Sequence, residues 1–267
     1  MYQFGFIGVG HMGATLASAV IGAVGAERCA VCDADDGRAK LFAAAKGCEV
    51  LPAREIAEKC RYIILGVKPQ NMAELLGEIG PVLRERDRCA LVTMAAGITI
   101  EKLCLMLGFR APTLRIMPNT PAAVGAGCML YAASRELSPE ERGEILAALA
   151  PTGELVETPE SLIDAGCAIS GCGPAFVYKF ILALSKAGED VGLEAGTARR
   201  LALQTVLGAA RLAAESGEDP RTLCDQVCSP GGSTIEGVRS LDAGAFADEV
   251  KKAVSASYHR TVELGRQ

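Results

Sequence analysis

Residues 3–24 constrain the fold more than any other part of this 267-residue chain. A short apolar run, residues 3–9, leads into Gly8-Val9-Gly10-His11-Met12-Gly13 and then into a helix-patterned segment, residues 14–24. A strand that turns through GxGxxG into a helix is a dinucleotide-binding fingerprint. Its first glycine makes the tight turn, the second lets a pyrophosphate approach the backbone, and the third lets the helix pack closely on the strand. The unpaired N–H groups of the first helical turn then face the ligand. A second strand, residues 29–32, ends at Asp33, about 20 residues past the third glycine, where a carboxylate accepts hydrogen bonds from an adenine ribose. Gly8, Val9, Gly10, His11, Met12, Gly13 and Asp33 are therefore predicted to bind a dinucleotide.

The alternation continues beyond this unit. Residues 36–46 read as a charged helix, 48–51 as a short strand, and Pro52 leads a helix to Lys59. Residues 62–67 are an apolar β run that ends in Val67-Lys68-Pro69-Gln70. Strand patterns recur at 89–94, 113–117, 127–132 and 154–157, with a helix at 100–107. Ser138-Pro139-Glu140-Glu141 carries the N-cap, N1 proline and N3 glutamate of a capping box. Alternating strands and helices predict an α/β Rossmann domain with a mostly parallel sheet over residues 1–158.

From residue 159 the strand signals stop. Phe176, Val177, Phe180, Ile181, Leu184 and Ala187 form one helical stripe, and Leu201, Ala202, Thr205, Val206, Ala209 and Leu212 form another. The second helix has little polar face, and so short a segment cannot cover it alone. Residues 159–267 are predicted to be an all-α dimerisation and substrate domain, completed by a second copy in a homodimer, with further assembly of dimers left open. A central helix buried in a monomer is the alternative.

Composition narrows the partners. The formal net charge is −5 and Lys and Arg are scattered singly, so no nucleic acid is expected to bind. The longest uncharged stretch, residues 116–134, contains Pro118, Pro121, Gly125 and Gly127 and would make a poor membrane helix. The chain opens with a strand rather than a charged and then apolar leader, so a cytoplasmic protein without membrane partners is expected. Its eleven cysteines are then free thiols, used as small hydrophobes. Cys29 and Cys32 share a strand and point to opposite faces, Cys224 and Cys228 lack a second ligand pair, and His11 and His259 are the only histidines, so no metal is expected.

Near the end of the chain, Ser229-Pro230-Gly231-Gly232-Ser233-Thr234 precedes another helix-patterned segment. Gly231 and Gly232 permit a tight turn and a close ligand approach. A cap by Ser233 or Thr234 would aim first-turn N–H groups into the same concavity, which suits a small carboxylate. An ordinary helix cap is the other reading.

With the glycine loop, Val67-Lys68-Pro69-Gln70 and Ser229 to Thr234, three further motifs stand in order: Ala95-Ala96-Gly97-Ile98, Met117-Pro118-Asn119-Thr120-Pro121 and Ser170-Gly171-Cys172-Gly173-Pro174-Ala175. On these six motifs the chain resembles the pyrroline-5-carboxylate reductase family over essentially its whole length. The resemblance implies reduction of 1-pyrroline-5-carboxylate to L-proline, the last step of proline biosynthesis, by hydride transfer from NADH or NADPH. It implies that Gly8 to Gly13 hold the pyrophosphate and that Val67, Lys68, Pro69, Ala95, Ala96, Gly97 and Asn119 belong to the cofactor site. Ser229, Gly231, Gly232, Ser233 and Thr234 would hold the substrate, with Thr234 as the catalytic residue facing its nitrogen. The implied reductase site lies where one subunit's cofactor domain meets helices of its partner.

Two features depart from the family pattern. Cys167 and Cys172 stand where many relatives carry Thr and Ser. Asp33, backed by Asp35 and Asp36, would repel a 2′-phosphate and lean toward NADH, with Arg38 as a counterweight. Neither histidine is placed as a general acid, but a protonated cyclic imine is already electrophilic, so positioning by Thr234 and exclusion of water carry the chemistry. Three other readings stay open. A β-hydroxyacid dehydrogenase would use Lys179, although Ala183 stands where an Asn is expected. The others are a reductase of another cyclic imine and a non-enzymatic NAD(H)-binding sensor or scaffold.

Overall fold

The alternating apolar runs build one sheet. In the computed structural model, which describes residues 1–86 and 88–265, the strands are β1 (Tyr2–Ile7), β2 (Cys29–Cys32), β3 (Glu49–Val50), β4 (Cys60–Leu65), β5 (Ala90–Thr93), β6 (Thr113–Met117), β7 (Gly127–Ala133) and β8 (Gly153–Glu157). Their order is β3-β2-β1-β4-β5-β6-β7-β8. Every neighbouring pair is parallel except β6 and β7. The chain leaves β1 toward β2 and β3 on one side, then crosses to β4 on the other. That reversal of direction beside β1 opens a crevice at the carboxyl ends of β1 and β4, where doubly wound sheets bind ligands.

Helices cover both faces, which is why β5 is buried along its whole length. On one face α1 (His11–Val24) and α6 (Pro139–Leu149) bring Leu16, Val20, Ile145 and Leu149 onto Phe6, Val31, Ile64 and Val92. On the other, α3 (Ala53–Lys59), α4 (Met72–Arg84) and α5 (Ile100–Leu107) set Ile56, Leu76, Ile79 and Leu103 against Ile63, Leu65 and Leu91. Each such side chain contributes about 1.5–3 kcal/mol by leaving water. Cys29 lies in the first layer and Cys32 packs on the second, as strand alternation requires. The expected capping box forms at α6, with Glu141 N–H donating to Ser138 Oγ at 3.2 Å and Ser138 N–H to Glu141 Oε2 at 3.1 Å.

Some elements differ from expectation. Helix α1 begins at His11 rather than at residue 14, because Gly10 serves as its N-cap. Helix α4 falls where no element is expected; it contains Gly77, Gly80 and Pro81, yet Met72, Leu75, Leu76, Ile79 and Leu83 recur at helical spacing and are all buried. Burial of that stripe outweighs the one hydrogen bond Pro81 removes.

The chain divides into two compact units, Met1–Cys172 with Ser257–Gln267, and Gly173–Ala256. The division expected after residue 158 follows β8, whereas the first unit runs on through α7 (Ile163–Ser170). Ile163 is fully buried there with Met117, Leu130 and Ala132. The second unit holds α8 (Gly173–Asp190), α9 (Ala195–Ser216), α10 (Pro220–Val227), α11 (Ser233–Ala243) and the first part of α12 (Phe246–Leu264). Helices α8 and α9 pack as a hairpin that buries only Ser185, Ala198 and Ala202, and leaves Val177, Phe180, Leu184, Leu201 and Leu212 exposed on a single copy. By length and composition alone the run Glu160–Asp190 could cross a membrane.

Burial also sets the thiol chemistry. Desolvation pushes the Cys29, Cys32 and Cys60 thiols from an ordinary 9.0 up to about 12, and Cys89 and Cys167 up to about 11. An unfolded chain releases these protons near pH 9 while the native chain keeps them. The unfolded state then binds fewer protons, so stability present below that pH falls as pH rises toward the native values. Urea denaturation at stepped pH should show a falling midpoint above about pH 9, and a flat profile there would refute the burial argument.

Candidate active site

The glycine loop is built by close backbone packing. Gly8 sits at φ +100°, and a Cβ there would lie 2.7 Å from the carbonyl carbon and oxygen of Gly66. A Cβ at Gly13 would collide with Gly8 O, so the third glycine seats α1 against the loop. Gly10 is different, because a Cβ there would meet no heavy atom within 4 Å. Its bareness serves no internal packing and leaves the approach to α1 open. No side chain caps α1, so the first-turn N–H groups of a 14-residue helix point into that space with the positive end of its dipole. A pyrophosphate fits this arrangement.

Asp33 fastens the loop. Its Oδ2 accepts the Val9 N–H at 2.8 Å, and its Oδ1 accepts the Asp35 N–H at 3.0 Å and the Arg38 guanidinium at 3.0 Å. Gly8, Asp33 and Val67 line one cavity of about 520 Å³, together with Asp36, Asn71, Glu74 and Glu78. Four carboxylates and, among the described residues, no basic side chain line that space. Val9, Gly10 and His11 line a second cavity of about 820 Å³ with Arg38 and Lys46. Arg38 therefore faces the other cavity, with its guanidinium held on Asp33 and, at 3.3 Å, on Asp35.

The remaining expected cofactor residues follow the ends of neighbouring strands. Val67, Lys68 and Pro69 come after β4, and Ala95, Ala96 and Gly97 after β5, whose Thr93 pairs with Leu65. Ile98 N–H donates to Ala95 O at 3.3 Å, closing a turn with Gly97 at φ +74°. The side chain of Asn119, after β6, is committed internally: its amide donates to Ser170 O at 2.9 Å and its Oδ1 accepts the Cys128 N–H at 3.0 Å. It shapes the loop rather than offering a free amide. Sequence reasoning missed Glu74 and Glu78, whose spacing on α4 reads as an ordinary solvated face. It also missed Arg115, 1% exposed on β6, which is paired with Asp164 at 2.7 Å and Glu160 at 3.6 Å.

In the second unit, Gly231 takes φ +73° and Gly232 N–H donates to Ser229 O at 3.0 Å, so the expected turn is present. The expected hydroxyl cap is not. Gly232 is the N-cap of α11, with Ser233 and Thr234 as its first residues and no side-chain cap bond. Ser229 Oγ lies within clashing distance of where a Cβ of residue 232 would be, so a side chain there would displace the Ser229 hydroxyl. First-turn N–H groups, Ser229 and Thr234 thus cluster at an uncapped helix start, an arrangement that can bind a carboxylate. Lys179 is exposed on α8.

Parallel sheet, bare Gly10, Asp33 at the end of β2 and a helical segment with an uncovered apolar stripe define a nicotinamide-dependent oxidoreductase that is completed by dimerisation. Residues 160–264 match the model of pyrroline-5-carboxylate reductase dimerisation, and residues 3–97 match that of NADP oxidoreductase, coenzyme F420-dependent. A pyrroline-5-carboxylate reductase of Synechocystis is 38% identical over 80% of this chain and 79% of its own length. The structure of the Coxiella burnetii pyrroline-5-carboxylate reductase matches with a TM-score of 0.92 at 29% identity, covering 98% of each chain. The Plasmodium falciparum enzyme, solved with NADP bound, matches with a TM-score of 0.85 at 30% identity, over 99% of this chain and 98% of that one. The chain belongs to the pyrroline-5-carboxylate reductase family. Its exposed α8 and α9 stripes fall inside the dimerisation match, which supports a homodimer.

Proposed function

We propose that the protein reduces 1-pyrroline-5-carboxylate to L-proline in the cytoplasm and prefers NADH over NADPH. The observation that carries the preference is the cavity lined by Asp33, Asp36, Glu74 and Glu78. Ribose hydroxyls can donate to these carboxylates, whereas a 2′-phosphate would be repelled at close range. Arg38 is held on Asp33 and Asp35 and lines the other cavity, so it does not answer Glu74 and Glu78. Residues 1–158 serve as the cofactor domain and 159–267 as the substrate and dimerisation domain, with dimers free to assemble further.

In this reading Gly8, Val9, Gly10, His11, Met12 and Gly13 hold the pyrophosphate with main-chain N–H groups. Val67, Lys68, Pro69, Ala95, Ala96 and Gly97 shape the nicotinamide end, with Asn119 fixing the adjoining loop. The nicotinamide supplies the hydride when bound. Ser229, Gly231, Gly232 and Ser233 bind the substrate carboxylate. Thr234 orients the ring nitrogen through its hydroxyl and helps exclude water.

The test follows nicotinamide absorbance with purified protein and pyrroline-5-carboxylate. NADH should be oxidised with kcat/KM about tenfold above that for NADPH, and Asp33→Asn should narrow the gap. Thr234→Ala should lower turnover with little change in cofactor binding, and an equal loss of both would remove Thr234 from its role. No oxidation of either cofactor, with binding intact, would transfer the assignment to another cyclic imine or to a sensor.

A further inference from the structure

The turn that follows β5 is braced from outside the cofactor loops. Gly97 and Gly265 meet backbone to backbone: a Cβ on Gly265 would lie 3.2 Å from Gly97 Cα, and one on Gly97 would run into Gly265. Gly265 directly follows α12, whose last N–H bond, Gly265 to Thr261 O, spans 3.1 Å. Lys102, in the first turn of α5, reaches both strands of this contact. Its ammonium donates to Gly265 O and, at 3.5 Å, to Gly97 O. The same short segment is fixed on its other flank, where Ile100 N–H donates to Glu160 Oε1 at 2.7 Å and Lys102 N–H to Thr99 Oγ1 at 3.1 Å.

The turn after β5 holds itself with two long bonds, Ile98 N–H to Ala95 O at 3.3 Å and Ala95 N–H to Thr93 Oγ1 at 3.4 Å, so an outside clamp on Gly97 adds to the definition of Ala96 and Gly97. Charge-assisted bonds to two carbonyl oxygens are stronger than neutral ones and set their separation. We infer that Lys102 is a positioning residue for the cofactor turn: by clamping Gly97 O to Gly265 O, it makes the end of α12 a brace for the loop that faces the nicotinamide. This rests on the placement of Ala95, Ala96 and Gly97 proposed above.

Full-length variants Lys102→Met, Lys102→Arg, Gly265→Ala and Ala96→Leu are compared by steady-state kinetics with varied NADH and by fluorescence titration of NADH. Lys102→Met keeps the aliphatic stem and removes the clamp. It should raise KM and Kd for NADH roughly three- to tenfold while kcat stays within about twofold. Lys102→Arg should restore most of the loss. Gly265→Ala pries the same contact apart without touching the lysine, and the double variant should be no worse than the weaker-binding single one. If Lys102→Met binds NADH normally while Ala96→Leu weakens it, the turn faces the cofactor but the clamp is refuted. If Ala96→Leu also leaves NADH binding unchanged, the placement of the turn itself fails. Parallel losses in kcat and affinity that Lys102→Arg does not rescue would show a merely structural role and overturn the inference.

Discussion

Gly10→Ser should keep or raise the melting temperature while weakening NADH binding roughly 30-fold, about 2 kcal/mol. The two effects have opposite sign for one physical reason. Gly10 is the N-cap of α1 at φ −63° and ψ −173°, a conformation any residue adopts, and its Cβ position is empty. Serine is a slightly better N-cap than glycine, because its Oγ accepts a first-turn N–H that no side chain now satisfies, worth a few tenths of a kcal/mol. That same N–H is one the pyrophosphate needs, and the added atoms stand in its approach. Gly8→Ala is the instructive contrast, since it combines positive φ with a clash against Gly66 and should cost stability as well as binding. Thermal melts and NADH titration of the two variants separate the roles. A Gly10→Ser protein that binds NADH normally would mean the dinucleotide does not cross α1 at this point.

What is legible in this chain is what is local. Glycine spacing, the strand before it and Asp33 after β2 all lie within one βαβ unit, so the crevice can be read from periodicity and turn chemistry. The capping box at Ser138 is equally local and forms as read. Features assembled by tertiary packing are not legible. Glu74 and Glu78 join Asp33 only because α4 lies beside the β1–β4 reversal, and nothing in their spacing marks them. Gly265 meets Gly97 across most of the chain's length. The glycine turn before α11 shows a local rule being overridden. Hydroxyl preference points to Ser233 or Thr234 as cap, yet the turn through Gly231 places Gly232 there and leaves both hydroxyl residues inside the helix. The outcome suits a ligand better than a cap would, since the first-turn N–H groups stay unsatisfied by side chains.

Arg115→Ala should destabilise the protein by about 2–4 kcal/mol, measured by urea denaturation at fixed protein concentration. Arg115 is among the largest fully buried side chains of the described residues, set in the middle of β6 with Thr93 and Ala132 as its strand partners. Its charge is answered by Asp164 on α7 and by Glu160, residues with side chains 26% and 30% exposed. That partial exposure places the cost below the upper range for a wholly buried pair. Truncation leaves a cavity and two carboxylates facing it without their cation. Glu160 also accepts the Ile100 N–H, so the start of α5 loosens with it. If uncompensated charge dominates, Arg115→Met combined with Glu160→Gln and Asp164→Asn should recover part of the stability that Arg115→Met alone loses. If instead the triple variant is worse than the single one by the sum of its parts, the cluster acts through separate hydrogen bonds. A loss under about 1 kcal/mol for Arg115→Ala would show that β6 does not depend on this ion cluster to hold α7.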